Sequence, residues 1–379
     1  MRWFLKYGSV VLLFNTILYS IDETKDIIAP FIFYIIMLIG ISSILINPSQ
    51  IRYVILHRSF VFLFLLNLIN LIYYLFLDDL YSQGSIEYLL ARFVQFSLIS
   101  FSVYHNQKYF QHKFFLHIVY VIVFISFISL IINPNIFNQR YSGIIWNENM
   151  LASLTGIAFV IFLLMDKKDS YFNVFILLLL LVMSLATGSR LVIIGLVIAF
   201  LLKYRFSVKT FFFLIIGFLC ILFIQNQDLD TGINRVLSLE LLGDRTDQFT
   251  FAIDNIKNNL FIGYGLDQYS GLPEDIKIPE KYQGLYMGAH SGYFSIVLQY
   301  GLMFGLLVIF IFIRKSIILL SYFRNRRDYI NIYYFIILYT IFAGFFETLF
   351  TGINEFHTIL FWISLSYLSL IKYKLEYED

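Results

Sequence analysis

Twelve stretches of this chain approach the ~20 consecutive apolar residues needed to cross the hydrocarbon core of a bilayer, and this leaves little choice of fold. They run over 4–21, 27–46, 59–77, 86–104, 114–132, 149–165, 171–187, 190–202, 210–224, 292–313, 329–350 and 355–371. The span at 190–202 is short, and a tilted partner helix or burial inside the protein accommodates it. Of 379 residues 59% are apolar and 14% charged, against roughly 25% charged in a water-soluble domain. The reading is an all-α, polytopic integral membrane protein of about twelve helices, forming one domain over 1–379. Phe, Tyr and Trp make up 20% of the chain, which suits lipid-facing helices and aromatic belts at the two surfaces.

Charge placement orients the bundle. Threading the chain alternately across the membrane with its N-terminus inside puts 18 of the 27 Lys and Arg residues on the cytoplasmic side and eight outside. Arg92 is left within the fourth span. That asymmetry is the one expected of cytoplasmic loops, and both termini are therefore placed in the cytoplasm. Arg2 and Lys6 before the first apolar run resemble the start of a secretory signal, but no small-residue cleavage pattern follows, so the segment reads as a retained helix. Cys220 is the only cysteine, which rules out a disulfide framework and a thiolate metal site. The net charge of +2 says little about partners, since what matters is where the charges fall, and no nucleic-acid partner is expected.

The one long segment between spans, 225–291, faces outward in this threading and is too long for a plain connection. Phe249, Ile253, Ile256 and Leu260 recur there at helical spacing, with Asp244 and Asp247 placed as an N-cap and a capping acid. An amphipathic helix is expected, lying on the membrane or over a cavity mouth.

Polar residues at the outer ends of the spans are few. They are Asn147, Glu148 and Asn149; Thr187, Ser189 and Arg190; Asp244 and Arg245; His290; and Glu347, Glu355 and His357. Arg190 puts a guanidinium at the border of two apolar helices, where an anion would balance it; an interfacial anchor to lipid headgroups is the alternative. Arg245, in the first turn of a polar helix, has solvation as its ordinary explanation. Two arginines facing one cavity suit a diphosphate, which accepts bidentate hydrogen bonds. His290 can give or take a proton, or simply bond a backbone carbonyl. Arg92 either lines a cavity reaching the lipid phosphate or is paired structurally with a carboxylate or with helix carbonyls. Gly263-Tyr264-Gly265 is no dinucleotide fingerprint, since no βαβ context surrounds it.

Taken in order, Asn147-Glu148-Asn149, Thr187-Gly188-Ser189-Arg190, Gly243-Asp244-Arg245 with Phe249, Ile262-Gly263-Tyr264-Gly265, and His290 followed by Tyr300-Gly301-Leu302-Met303-Phe304-Gly305 resemble the O-antigen ligase and polymerase superfamily. The resemblance covers 147–307. It departs from the family pattern at Glu148, where proline is frequent, at Ser291, where asparagine is frequent, and before Gly263, where a proline is missing. The resemblance implies a GT-C-like glycosyltransferase of the bacterial cytoplasmic membrane, working on glycans carried by undecaprenyl diphosphate with no cofactor or metal. It implies that Arg190 and Arg245 hold the diphosphate and that His290 activates or orients the acceptor hydroxyl. Asn147, Glu148, Asn149, Ser189, Arg92, Glu347, Glu355 and His357 remain as candidates for binding the rest of the substrate. Membrane lipids and other polysaccharide-assembly proteins are the expected partners. A polymerase that extends a capsule, exopolysaccharide or O-antigen chain is the favoured reading. A ligase delivering the finished glycan to a lipid or wall acceptor, and a flippase for the same lipid-linked oligosaccharide, stand as alternatives. A flippase should place its charged and broken-helix features near the bilayer midplane.

Overall fold

The computed structural model describes residues 2–78, 82–136, 140–165, 170–205, 207–208, 211–212, 215–216, 219, 244–268, 288–325 and 329–377. Regular structure among the described residues is helical, apart from one antiparallel bridge between Ile21 and Ile145. The helices are α1 (Arg2–Ser20), α2 (Ile28–Ile46), α3 (Pro48–Ile55), α4 (Val61–Phe76), α5 (Gln83–His105), α6 (Gln107–His112) and α7 (Phe114–Ile132). They continue with α8 (Glu148–Leu164), α9 (Tyr171–Ala186), α10 (Arg190–Tyr204), α11 (Asp244–Asn258), α12 (Gly292–Phe323), α13 (Ile330–Ala343) and α14 (Phe356–Tyr377).

Four of these are long and apolar enough to cross a membrane: α2, α5, α7 and α12. Helices α4, α8, α9 and α13 are apolar but shorter. Most of the expected spans coincide with helices, but the one expected at 329–350 ends as a helix at Ala343 and continues as a turn, and the ninth, 210–224, lies largely outside the described residues. Two short helices were not anticipated. Pro48 occupies the first turn of α3, where its missing N–H costs nothing. Helix α6 fills the connection between α5 and α7.

The centre of the bundle is made by α5 and α14, which pack on each other, with α1 touching both. From Phe356 to Ile371 nearly every α14 side chain is buried. Several serines on these helices satisfy their hydroxyls on the preceding turn, as in Ser100 to Phe96 O at 2.8 Å and Ser364 to Leu360 O at 2.7 Å, which spares those groups the cost of an unmet polar atom in an apolar interior.

Helix α12 is broken at Gly301, whose φ of 70° and ψ of 174° fall in a region open essentially to glycine alone. The break is filled from outside. Tyr264 N donates to Leu298 O at 2.8 Å, Gly265 N to Gln299 O at 3.2 Å, and Leu302 N to Leu260 O at 2.7 Å. The phenol of Tyr73 on α4 donates to the Ile262 and Gln299 carbonyls at 2.7 and 2.8 Å. The Gly263-Tyr264-Gly265 segment is thus a plug that satisfies the backbone of a kinked membrane helix.

Helix α11 forms where periodicity placed it, and Phe249 and Ile256 of the expected stripe do pack on the protein, but the buried face extends beyond that stripe. Gln248, Phe251, Ala252 and Asn255 face inward, while Ile253 of the expected apolar stripe is 39% exposed. Small Ala252 lets α11 approach α12 closely, beside Leu298, and the Phe249 ring meets Phe294 edge-on. Asp244 is the first helical residue rather than the cap, and the side chains of Asp244 and Arg245 lie outside the described residues.

Candidate active site

The helix ends assigned by threading to one face converge on a cleft of about 760 Å³. Its lining includes Asn147, Asn149, Ser189, His290, Glu347, Glu355 and His357 from the sequence candidates, together with Ser20, Ser153, Gln248 and Asn354. Met150, Leu154, Leu191, Leu349 and Phe356 give it an apolar part. Residues up to 337 positions apart in sequence are therefore neighbours around one cavity.

The first wall is made by the N-termini of α8 and α10. Asn147 caps α8, accepting from Asn149 N at 2.8 Å. The turn before α10 is held by Thr187, which accepts from Ser189 N at 3.3 Å and donates to Ser184 O at 2.7 Å, with Gly188 at a φ of 64°. Arg190, half-buried, is the first residue of α10. Helix N-termini expose unpaired N–H groups and a partial positive charge, so this wall suits an anion.

Arg140 joins these two segments. It donates through Nη2 to Asn149 Oδ1 at 2.6 Å and through Nε to the Thr187 carbonyl at 3.0 Å, and its Nη1 lies 3.4 Å from Glu148 Oε2. Glu148 accordingly pairs with Arg140 and is not among the residues that line the cleft. Sequence reasoning counted Arg140 only among outward charges. Nothing local marks it, because its partners are brought to it by the fold.

The second wall is the turn between α13 and α14. Glu347, Thr348, Leu349, Asn354, Glu355 and His357 all face the cleft from here. Thr358 donates to Glu355 Oε2 at 2.8 Å and accepts from Phe350 N at 3.3 Å. Phe350 holds a φ of 82°, a strained value for a residue with a side chain. The carboxyl of Glu355 packs on Gly352, where any Cβ would overlap it. Glu355 precedes the helix and lies outside it. Burial raises its carboxyl above the usual carboxylate range, against the opposing pull of the Thr358 hydrogen bond and the Arg92 charge, and with Glu347 adding to the rise.

Arg92 does not reach the cleft. It is 2% exposed. Its Nη2 lies 3.3, 2.5 and 3.3 Å from the carbonyls of Phe350, Thr351 and Gly352, and 3.1 Å from the Tyr88 hydroxyl. Nη1 donates to Gln95 Oε1 at 2.6 Å, and Gln95 continues to Ile353 O at 3.0 Å. In the structure the guanidinium is thus bonded to carbonyls of the turn ahead of α14, and Arg92 is not among the residues that line the cleft.

His290 closes the cleft from a third side, ahead of α12, with a φ of 40°. Its segment is pressed on the second wall: Gly292 N donates to Gly344 O at 2.8 Å, Ser291 Oγ to the same carbonyl at 3.3 Å, and a Cβ on Gly292 would strike the Leu349 carbonyl. Gln248 on α11 also lines the cleft.

Comparison with known families gives one finding that agrees with the ordered motifs. Residues 172–313 match the family described as O-Antigen ligase. That match supports the O-antigen ligase and polymerase superfamily, whose members are glycosyltransferase-like enzymes. The match starts within α9 and ends within α12, so the Asn147 cap and the turn bearing Glu355 lie beyond it. No curated protein matches the chain.

Proposed function

We propose that this protein transfers an undecaprenyl-diphosphate-linked glycan to an acceptor sugar hydroxyl at the outer face of a bacterial cytoplasmic membrane, extending a polysaccharide. The observation that carries this reading is the single cleft in which Ser189, at the head of α10, meets His290, Glu347, Glu355 and His357. Departure of a diphosphate needs its charge balanced, and Arg190 with the N-termini of α8 and α10 supplies positive potential in a partly desolvated site. Arg245 is its proposed second cation. The carboxylates of the second wall would repel a diphosphate, which leaves that wall to the acceptor. His290, reaching in from the third side, orients the hydroxyl. About twelve spans in a GT-C-like arrangement, with both termini cytoplasmic, complete the proposal.

Transport fits less well. The break in α12 could resemble the discontinuous helices of transporters, whose freed carbonyls coordinate ions. Here the Leu298 and Gln299 carbonyls are taken up by Tyr264, Gly265 and Tyr73. The family description favours a ligase as the second reading.

The test is reconstitution of purified protein with undecaprenyl-diphosphate oligosaccharide, with glycan length read on a gel. A ladder from the wild type that is lost in Arg190→Ala supports polymerisation. Movement of intact glycan to a different acceptor indicates the ligase, and passage between leaflets without any bond change rejects the transferase.

A further inference from the structure

We infer that the turn between α13 and α14 is the acceptor subsite, in which Glu355 takes the proton from the attacking sugar hydroxyl while Asn354 and His357 hold neighbouring hydroxyls. The inference rests on the transferase reading above and assigns to Glu355 the base role that sequence comparison gives to His290.

Three independent observations meet at this turn. Asn354 Oδ1 and His357 Nδ1 are buried polar atoms with no hydrogen-bond partner, and both residues line the cleft. An unpaired buried polar atom costs about 1–3 kcal/mol, so two on one cavity wall mark a place where a ligand supplies the missing bonds. Sugar hydroxyls, which both donate and accept, match an amide oxygen and an imidazole nitrogen. Glu355 is held in one position by Thr358 Oγ1 at 2.8 Å and by the bare Cα of Gly352, while part of its surface stays open to the cleft. The turn itself is fixed by Arg92 and Gln95, which together bind the carbonyls of residues 350 to 353. A base must be placed before it can be tuned, and every contact that places this one is internal to the protein.

In the step itself the acceptor oxygen forms a bond to the anomeric carbon as the bond from that carbon to the phosphate oxygen breaks. The electron pair leaves with the diphosphate, and the hydroxyl proton passes to the Glu355 carboxylate, which later releases it to water through the open cleft. The charged and titratable groups around Glu355 are Arg92 from α5 and Glu347 after α13, with His290 before α12 and His357 on α14 lining the same cleft.

The experiment uses the full chain in proteoliposomes with the lipid-diphosphate oligosaccharide, following transfer rate against pH and donor binding separately. Glu355→Gln should cut kcat about 100-fold or more with donor affinity unchanged, and should remove the acidic limb of the profile. Thr358→Val takes away the hydrogen bond that stabilises the carboxylate, so the limb should move to higher pH in a protein that still turns over. If Glu355→Gln keeps the wild-type rate and limb, or if His290→Asn alone removes the limb, the assignment is overturned while the transferase reading stands. A wild type that binds donor and forms no glycosidic bond to any acceptor overturns both.

Discussion

Arg92 and Thr351, 259 positions apart, are joined by a hydrogen bond of 2.5 Å from Nη2 to the carbonyl oxygen. Through it a charge buried in the membrane domain is spent on the backbone of the turn that forms one wall of the cleft. The guanidinium lies 5.2 and 5.4 Å from the ring centres of Tyr88 and Phe96, so aromatic faces supplement the carbonyls in replacing water.

Arg92→Met is therefore expected to be among the most damaging single changes in the bundle. It leaves the carbonyls of the turn without their donor, at about 1–3 kcal/mol for each group left unmet. Arg92→Lys keeps the charge but cannot span carbonyls and Gln95 together. Thermal unfolding in detergent should rank wild type above the lysine variant and that above methionine. A methionine variant as stable as wild type would show that Arg92 does not hold the turn.

Gly301 gives a second prediction with an internal control. Alanine there combines a forbidden φ with a Cβ driven onto the Phe261 carbonyl, whereas at Gly156 the nearest atom to an added Cβ is a Val192 methyl at 3.4 Å. Gly301→Ala should fail to give a monodisperse protein, while Gly156→Ala should be neutral or slightly stabilising, by up to about 1 kcal/mol, since alanine is the better helix former. Size-exclusion profiles and melting temperatures of the two variants test this directly.

Arg140 ties Asn149 to Thr187, and the expected loss on its removal is in function more than in stability. Its ion pair with Glu148 is partly exposed and contributes little. The two hydrogen bonds set the spacing of the α8 and α10 N-termini, and misplacement by about 1 Å can cost 100-fold in rate. Arg140→Lys and Arg140→Ala should both depress transfer, and Glu148→Gln should not. Comparable loss in Glu148→Gln would move the role from Arg140 to the carboxylate.

The sequence made some of this legible and hid the rest for identifiable reasons. Hydropathy located most of the helices because lipid-exposed helices have to be apolar over their whole length. It also brought Asn147, Ser189, His290 and Glu355 to one face, since alternate threading fixes which ends share a surface. It did not place Arg92, because a buried arginine bonded to carbonyls and one facing a substrate cavity look the same in sequence. The buried face of α11 is wider than its apolar stripe for a related reason. Asn255 and Gln248 turn inward despite being polar: Asn255 Nδ2 donates to Phe251 O at 2.8 Å, and Gln248 faces the cleft. Periodicity counts only apolar residues and so rotated the helix toward Ile253.

Glu355 links stability to pH in a direction opposite to that of a salt-bridged carboxylate. Its folded-state carboxyl titrates above its unfolded value, with burial the leading cause. The fold therefore favours the protonated form. This contribution is fully present below about 4.3, the range of an unfolded glutamate, and is lost as pH rises through the higher folded value. Glu355→Gln keeps the neutral shape at every pH, so it should melt with the wild type at pH 4 and above it at pH 8. Paired with the loss of transfer expected of the same variant, a gain in melting temperature at alkaline pH would mean that the buried carboxylate is retained at a cost to the fold, as functional groups commonly are. Equal melting temperatures at both pH values would show that the cleft wall solvates Glu355 as well as water does, and would remove the strain from the argument.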